Sequence, residues 1–479
     1  MPADPVATVL VGCAVAGLAY TVALQVVMLV LSSSAAVSLA RLGPARRSGR
    51  LAELRRTAEP IPVTVVVPAY NEAPVIVPAV TSLLALDYPS LQVVVVNDGS
   101  TDDTLERLVE AFDLLPVQLP PEAFAALPGR PVRAVWEPAG GALPVRVLDK
   151  EAGGSKADAV NVGLSVVSTP VVVVGDGDGL VEPDALARAV AALRDHRGDP
   201  VAVGGTILPV NDCVVSAGQV VRPRVPRSFL AACQLLEYLR SFLVGRAGMG
   251  ALASVTIVSG AFGLFRTDEV HRVGGFAVGH LGEDLDMTIR LARQAIESGR
   301  AVRGGPVLQV PEAVLWTEVP ETLEVLGRQR VRWHRGLLRC LRDHRGLIGN
   351  ARYGGFGMFG LTYLAAFEVL APLMEALGYV TVLLAGATGS LDPVVAAAMF
   401  GCTVLAGWLT TAVAVYLQER RFGRYRDRGD LVRLLLVAIA EPFLYRPLTL
   451  WWRLRALLPG RDQWGAMPRK GFAEAVPVG

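Results

Sequence analysis

Apolar and charged positions divide the chain into three zones. From residue 5 to residue 40 no position is charged. That run exceeds the ~20 apolar residues needed to cross a bilayer, so it predicts a transmembrane helix. A cleavable signal peptide is the competing reading, but it opens on basic residues, and here the sole early charge is Asp4. Arg41, Arg46, Arg47, Arg50, Arg55 and Arg56 follow at once. Arginines flanking a span stay inside, which predicts an outer N-terminus and a cytoplasmic chain from residue 41 onward. The next apolar stretches begin after residue 355. The first, 356–387, is interrupted by Glu368, Pro372 and Glu375. The second, 393–417, is clean and ends at Glu419, Arg420 and Arg421. The third, 431–458, carries Arg433, Glu441, Pro442, Arg446 and Pro447, and its length allows a span or a re-entrant hairpin. Charges at such depth are costly and face a bundle interior or a polar path. Glu368 and Glu375, seven apart, share a helix face, and Glu441 and Arg446 are expected within pairing range. Internal ion pairs and a translocation lining both remain open.

The middle zone, 61–318, alternates valine-rich runs at 63–67, 93–96 and 171–174 with helical patterns such as 72–86 and 101–112. Runs that are apolar throughout predict strands buried on both faces. Their alternation with helices predicts an α/β, Rossmann-like domain with a mainly parallel sheet. Ligands bind such sheets at the carboxyl ends of the strands.

Composition supports a soluble domain joined to membrane segments. Counting Gly and leaving out Tyr, about 60% of the 479 residues are apolar and 19% are charged. Soluble domains average about 45–50% and about 25%. The net charge of +2 gives no footprint for nucleic acid. Arginine dominates the bases; only Lys150, Lys156 and Lys470 are lysines. Cys13, Cys213, Cys233, Cys340 and Cys402 form no CxxC pair, so neither a disulfide framework nor a zinc site is expected.

Candidate chemistry clusters after the predicted strands. Pro68-Ala69-Tyr70-Asn71-Glu72 follows the first, Asn97-Asp98-Gly99-Ser100 the second and Gly175-Asp176-Gly177-Asp178-Gly179 the third. Two carboxylates at i and i+2 on a tight turn can approach one divalent cation, and hard oxygens suit Mg²⁺ or Mn²⁺ with substrate phosphates completing the shell. In Gly153-Gly154-Ser155-Lys156-Ala157-Asp158, Ser155 and Asp158 have capping-box spacing. A helix start bearing Lys156 favours an anion such as a diphosphate. Gly282-Glu283-Asp284-Leu285-Asp286 predicts another helix start, where Glu283 and Asp286 have capping or solvation as their plain reading. Gln329-Arg330-Val331-Arg332-Trp333 precedes His334, expected at the interface. Arg328, Arg330, Arg335, Arg339, Arg342 and Arg345 surround Leu337, Leu338 and Leu341, which predicts a basic amphipathic segment on the inner membrane face.

From about residue 61 to 336 these motifs, with the SGAFGLFR segment at 259–266, resemble the membrane-embedded branch of glycosyltransferase family 2: cellulose, hyaluronan and poly-N-acetylglucosamine synthases. GDGDG departs from the family's usual DAD by a glycine at a position that is not a ligand. The resemblance implies a GT-A-type α/β cytoplasmic domain with flanking transmembrane helices and inverting, processive transfer from a UDP-sugar to a polysaccharide coupled to export. It implies Asp284 as base and Tyr70, Glu72, Asp98, Lys156, Asp176 and Arg332 as donor contacts. Glu283, Gln329 and Trp333 are implied for the acceptor, and Asp178 and Asp176 for a Mg or Mn ion. The expected organisation is an anchor and basic linker (1–58), a catalytic domain (59–335), an interfacial helix (336–355), a membrane region (356–458) and a basic tail (459–479). About 20 residues follow Leu458, so no PilZ-type receptor is expected. Three or four spans are few for a channel, which leaves a homo-oligomer or a small membrane partner to complete the path. A single transfer to a lipid acceptor and a non-catalytic membrane scaffold are the competing functions.

Overall fold

The computed structural model describes residues 5–41, 60–141, 143–300 and 304–460. Most of the basic linker (Arg46, Arg47, Arg50, Arg55, Arg56) and nearly all of the basic tail lie outside the described residues.

The valine runs become β1 (Val63–Ala69), β2 (Leu91–Asn97) and β6 (Val171–Gly175). Each is buried almost throughout. Side chains alternate across a strand, and the two cores show it. Val66, Val94, Val96, Val172 and Val174 pack on one face of the sheet, and Val65, Val67, Val93, Val95, Val171 and Val173 on the other. The full sheet also contains β3 (Leu114–Val117), β4 (Val132–Pro138), β5 (Val145–Lys150), β7 (Leu180–Val181), β8 (Ala202–Pro209), β11 (Phe262–Arg266) and β12 (Val307–Thr317). A separate hairpin joins β9 (Val214–Ser216) to β10 (Gln219–Arg222). The ten strands run in the order β3-β4-β5-β2-β1-β6-β11-β8-β12-β7.

Strands β5, β2, β1 and β6 are mutually parallel, as are β8 and β12. The sheet as a whole is mixed, not mainly parallel: β3, β4, β7 and β11 pair antiparallel. A search for continuous apolar runs misses such strands. β4, for example, reads VRAVWEP and is only partly buried. The carboxyl ends of β1, β2, β5, β6, β8 and β12 share one edge with the start of β11.

Among the described residues, three helices are long and apolar enough to cross a membrane: Thr8–Arg41, Phe356–Ala387 and Pro393–Arg421. The first meets the short helix Ala247–Ala251 at Gly248, where a Cβ would lie 2.5 Å from the Leu31 carbonyl oxygen. Only glycine permits that approach. Phe356–Ala387 runs as one span through Glu368, Pro372 and Glu375, with a bend at Leu370. Pro372 lacks an N–H, and the backbone ahead of it widens into π-helical turns at Phe356–Leu361 and Leu364–Val369.

The 431–458 stretch becomes two helices, Arg428–Leu444 and Arg446–Ala456, broken at Tyr445. Both pack against helices of the α/β domain, the first on Phe229–Leu239 and the second on Leu323–Asp343. Glu441 pairs with Arg240, the Tyr445 hydroxyl donates to Glu237, and Trp452 packs on Gly327. The expected Glu441–Arg446 pair does not form. Arg446 instead reaches Glu375 at 3.1 Å, and Glu368 pairs with Arg453 at 3.1 Å. All four expected charges thus find protein partners.

The helix Leu323–Asp343 contains the whole QRVRW motif and crosses the expected domain border at residue 335. Thr322 caps it by accepting from the Val325 N–H. Its His334 is buried, not interfacial, and burial with Arg453 nearby pulls its pKa down to about 4.

Candidate active site

The shared strand edge is braced by side chains from successive loops. Asn71, after β1, has φ 55°, a left-handed conformation that asparagine tolerates. Its side chain accepts from the Thr101 N–H at 2.8 Å, and its own N–H donates to Ser100 Oγ at 3.0 Å, tying the first loop to the second. Tyr70 beside it is exposed. Glu72 lies against Gly177, its Cγ 3.6 Å from where a Cβ would sit.

Lys150, at the end of β5, has a fully buried side chain between two carboxylates. Its Nζ donates to Asp98 Oδ1 and, at 2.7 Å, to Asp158 Oδ1. Asp98 Oδ1 also accepts the Gly153 N–H at 2.8 Å. Asp98 therefore shapes the glycine loop in this state. A Cβ on Gly153 would fall 2.2 Å from Asp158, so the loop requires glycine there. Ser155 caps the helix Lys156–Ser165, but the reciprocal half of the expected capping box is absent. Asp158 turns instead to Lys150 and to the Arg130 N–H.

Lys156 opens that helix and reaches across to β6. Its Nζ donates to Asp176 Oδ1 and to the Gly260 carbonyl at 2.7 Å. Burial works against its charge, but Asp176, Glu283 and Asp284 outweigh burial and hold its pKa above the ordinary lysine value. Asp178 is buried, and its Oδ2 accepts from Thr317 Oγ1, at the end of β12, at 2.9 Å. The two carboxylates of the DxD turn thus have different partners.

Asp284 lies in the first turn of the helix Glu283–Glu297. Its Oδ2 accepts the Gly260 N–H at 3.2 Å and its Oδ1 the Leu285 N–H at 2.8 Å. Thr288 donates to the Asp284 carbonyl and accepts the Val258 N–H, locking the helix start to the loop before β11. Burial, with the Asp284 charge beside it, raises the Glu283 carboxyl to about 7 against the pull of Lys156 and Arg332. Asp286 neither caps nor is solvated. It is buried, bonded to Arg290 at 2.7 Å and His344 at 2.8 Å. With Cys340 it forms a group of metal-ligand type, but its oxygens are already used in clamping this helix to Leu323–Asp343.

On Leu323–Asp343, Trp333 is 41% exposed, enough to offer a ring face. Arg330 lies 4.7 Å from its ring centroid and is held by Glu237 at 3.0 and 2.7 Å. Gln329 Oε1 is enclosed without a hydrogen-bond partner among the described residues.

Lys156, Asp176, Glu283, Asp284 and Arg332 therefore fall within one electrostatic cluster, and Trp333 lies next along the helix that carries Arg332. Tyr70, Glu72 and Asp98 sit on the neighbouring loops. Sequence reasoning missed Lys150 and Thr317, and it placed Gly260 in the SGAFGLFR segment without giving it a role. For Lys150 the signal was the scarcity of lysine, which made it conspicuous.

The fold is a GT-A-type mixed α/β sheet with acidic and basic side chains gathered at one strand edge. Family models agree: "Glycosyl transferase family 2" matches residues 64–120 and "Glycosyltransferase like family 2" matches 130–336. Over those residues the chain carries a family 2 glycosyltransferase domain. It is 26% identical over 277 residues to poly-β-1,6-N-acetyl-D-glucosamine synthase of Staphylococcus aureus, covering 57% of this chain and 54% of that one. The corresponding enzyme of Staphylococcus epidermidis is 24% identical over 267 residues, 56% of this chain and 52% of its own. The chain spans about half the length of these curated relatives. Among solved structures, a mannosyltransferase from Pyrobaculum calidifontis in complex with GDP-mannose and Mn²⁺ superposes with a TM-score of 0.49 and 21% identity, over 86% of this chain and 99% of that one.

Proposed function

We propose that the chain transfers a sugar from a UDP-sugar, with inversion, to the end of a growing polysaccharide, and that the older end leaves across the membrane. One observation carries this reading: Asp284, fixed by the Gly260 N–H, shares its cluster with the Lys156–Asp176 pair, and the helix carrying Arg332 and Trp333 borders it. In the transfer, the acceptor hydroxyl gives its proton to Asp284 as its oxygen attacks the anomeric carbon from the face opposite the nucleotide. UDP leaves with the electron pair of the broken C–O bond. Arg332 and Lys156 take up the charge on the departing diphosphate. Trp333 stacks against the C–H face of the acceptor sugar.

The all-oxygen donor set of Asp178 and Asp176 suits a hard divalent cation, Mg²⁺ or Mn²⁺. Bound there, the cation would neutralise the leaving diphosphate. Two carboxylates are too few for a full shell, so substrate oxygens and water would supply the rest, and Asp176 would be available to it once Lys156 turned to the phosphates. Similarity to poly-β-1,6-N-acetyl-D-glucosamine synthases makes UDP-N-acetylglucosamine the first donor to test. Three candidate spans with an inner-facing catalytic domain are few for a closed conduit, which favours a homo-oligomer or a small membrane partner.

The test is radiolabelled transfer from a panel of UDP-sugars by the full chain in detergent, then in sealed inside-out vesicles. A cation-dependent polymer protected from an added glycan hydrolase is expected. A single-sugar lipid product would replace polymerisation with lipid charging, and a polymer wholly digestible from outside the vesicle would remove export.

A further inference from the structure

One cation near the site has no role in the mechanism above. Arg246 ends a π-helical turn, Arg240–Arg246, that joins the helix Phe229–Leu239 to Ala247–Ala251. Such turns concentrate at functional sites. The Arg246 guanidinium lies over the Phe242 ring, 4.2 Å from its centroid. Its Nη1 is enclosed and has no hydrogen-bond partner among the described residues. Arg240 and Arg330 nearby are instead paired bidentately, with Glu441 and Glu237. Burying a guanidinium nitrogen with no acceptor is costly, and stacking on one ring returns only part of that cost. An enclosed donor of this kind fits a place where a ligand supplies the acceptor.

Its surroundings indicate which ligand. Asp284, the base of the transfer, and Tyr238 are the groups whose charge it feels, and they oppose the burial that lowers its pKa to about 10; it stays cationic at neutral pH. Tyr238 and Phe242 stand edge to face with centroids 6.1 Å apart. Tyr238, Phe242 and Arg246, four residues apart in turn, form one stripe along this helix. Tyr238 in turn feels Arg330, which stacks on Trp333. Gln329, on the same helix as Trp333, contributes a second enclosed polar atom with no hydrogen-bond partner among the described residues. Aromatic faces interleaved with free hydrogen-bonding groups are what a saccharide requires, since each ring presents C–H faces and equatorial oxygens.

We propose that Tyr238, Phe242 and Arg246 form a second wall of the acceptor site, and that Arg246 donates to an oxygen of the acceptor saccharide beside the hydroxyl that Asp284 activates. This rests on the transferase reading. The test compares the full-length wild type with Arg246→Met and Arg246→Lys in detergent. The donor is UDP-N-acetylglucosamine, or whichever UDP-sugar of the panel the wild type uses. The acceptor is oligosaccharide cut from the wild type's own polymer. Arg246→Met is expected to raise the acceptor KM at least tenfold and to increase the share of donor lost to hydrolysis. The Kd for UDP, by calorimetry, should stay within twofold, and Arg246→Lys should recover part of the loss. An unchanged acceptor KM in the folded Met variant overturns the proposal. So does a parallel loss of UDP affinity, which would move Arg246 to the donor side. If Arg246→Met does not fold, Arg246→Gln decides by the same readouts. A wild type inactive with every UDP-sugar removes the transferase reading and this inference together; a null confined to the variants removes the inference alone.

Discussion

Lys156, the first residue of the helix Lys156–Ser165, and Asp176, the residue after β6, are ion-paired. The cation suited to the diphosphate and the first carboxylate suited to the metal neutralise each other. Donor and divalent cation together can exchange this pair for two new ones at little net electrostatic cost. Neither ligand alone can.

Lys156→Met tests that exchange. It should weaken UDP binding at least tenfold, while leaving Mn²⁺ binding alone unchanged or tighter because Asp176 is released. Calorimetry with each ligand separately, then together, reads both effects. Equal weakening of both would mean that Lys156 only holds the loop.

Asp178→Asn removes one carboxylate charge but keeps an oxygen for the Thr317 hydroxyl. Transfer should fall by on the order of 10² or more, with melting temperature unchanged. Wild-type activity should vanish in excess chelator and return with Mg²⁺ or Mn²⁺. Full activity in chelator would falsify a metal role.

Asp284→Asn should lower kcat by about 10²–10⁴, the usual worth of a general base, with the Kd for UDP intact. Rapid-quench measurement of a single turnover separates this from slow product release. A near-normal single-turnover rate would place the base elsewhere.

The raised Glu283 carboxyl makes stability depend on pH. The folded protein holds this proton more tightly than the unfolded chain does. The cost of ionising Glu283 in place is therefore absent below pH 4.5 and fully present above about 7. Glu283→Gln should thus gain stability over wild type as pH rises through that window, by on the order of 1–3 kcal/mol at the top. Thermal unfolding in detergent at pH 5 and pH 8 checks it; a difference that shrinks toward pH 8 would contradict the assignment.

Arg240 and Glu441 form a largely buried bidentate pair, and the bond of 2.5 Å joins residues 201 apart in sequence. Glu441→Ala leaves the guanidinium unpaired and should cost about 3–5 kcal/mol. The double variant with Arg240→Met should recover much of that. Activity per folded molecule should change little, which distinguishes a bracing pair from a lining of the glycan path.

Much of the fold could be read from local pattern. Burial on both faces forces a strand to be apolar throughout, so β1, β2 and β6 were legible, and with them the edge where Tyr70, Asp98, Asp176 and Asp178 lie. Strands half-covered or at the margin, such as β4 and β7, leave no such run, and the antiparallel part of the sheet stayed hidden. The Asp284 motif was legible because a helix start must follow a turn.

The sequence by itself determined the α/β domain, its membrane flanks and the residue types at each strand end, because hydrophobic periodicity and turn chemistry act over a few residues. Only the tertiary structure decided the partners. Lys150 between Asp98 and Asp158, Lys156 on Asp176, Glu441 with Arg240 instead of Arg446, and an Arg246 Nη1 with no acceptor among the described residues all depend on which distant segments meet. An electrostatic pair forms wherever folding brings opposite charges within a few ångströms, and sequence separation carries no information about that distance.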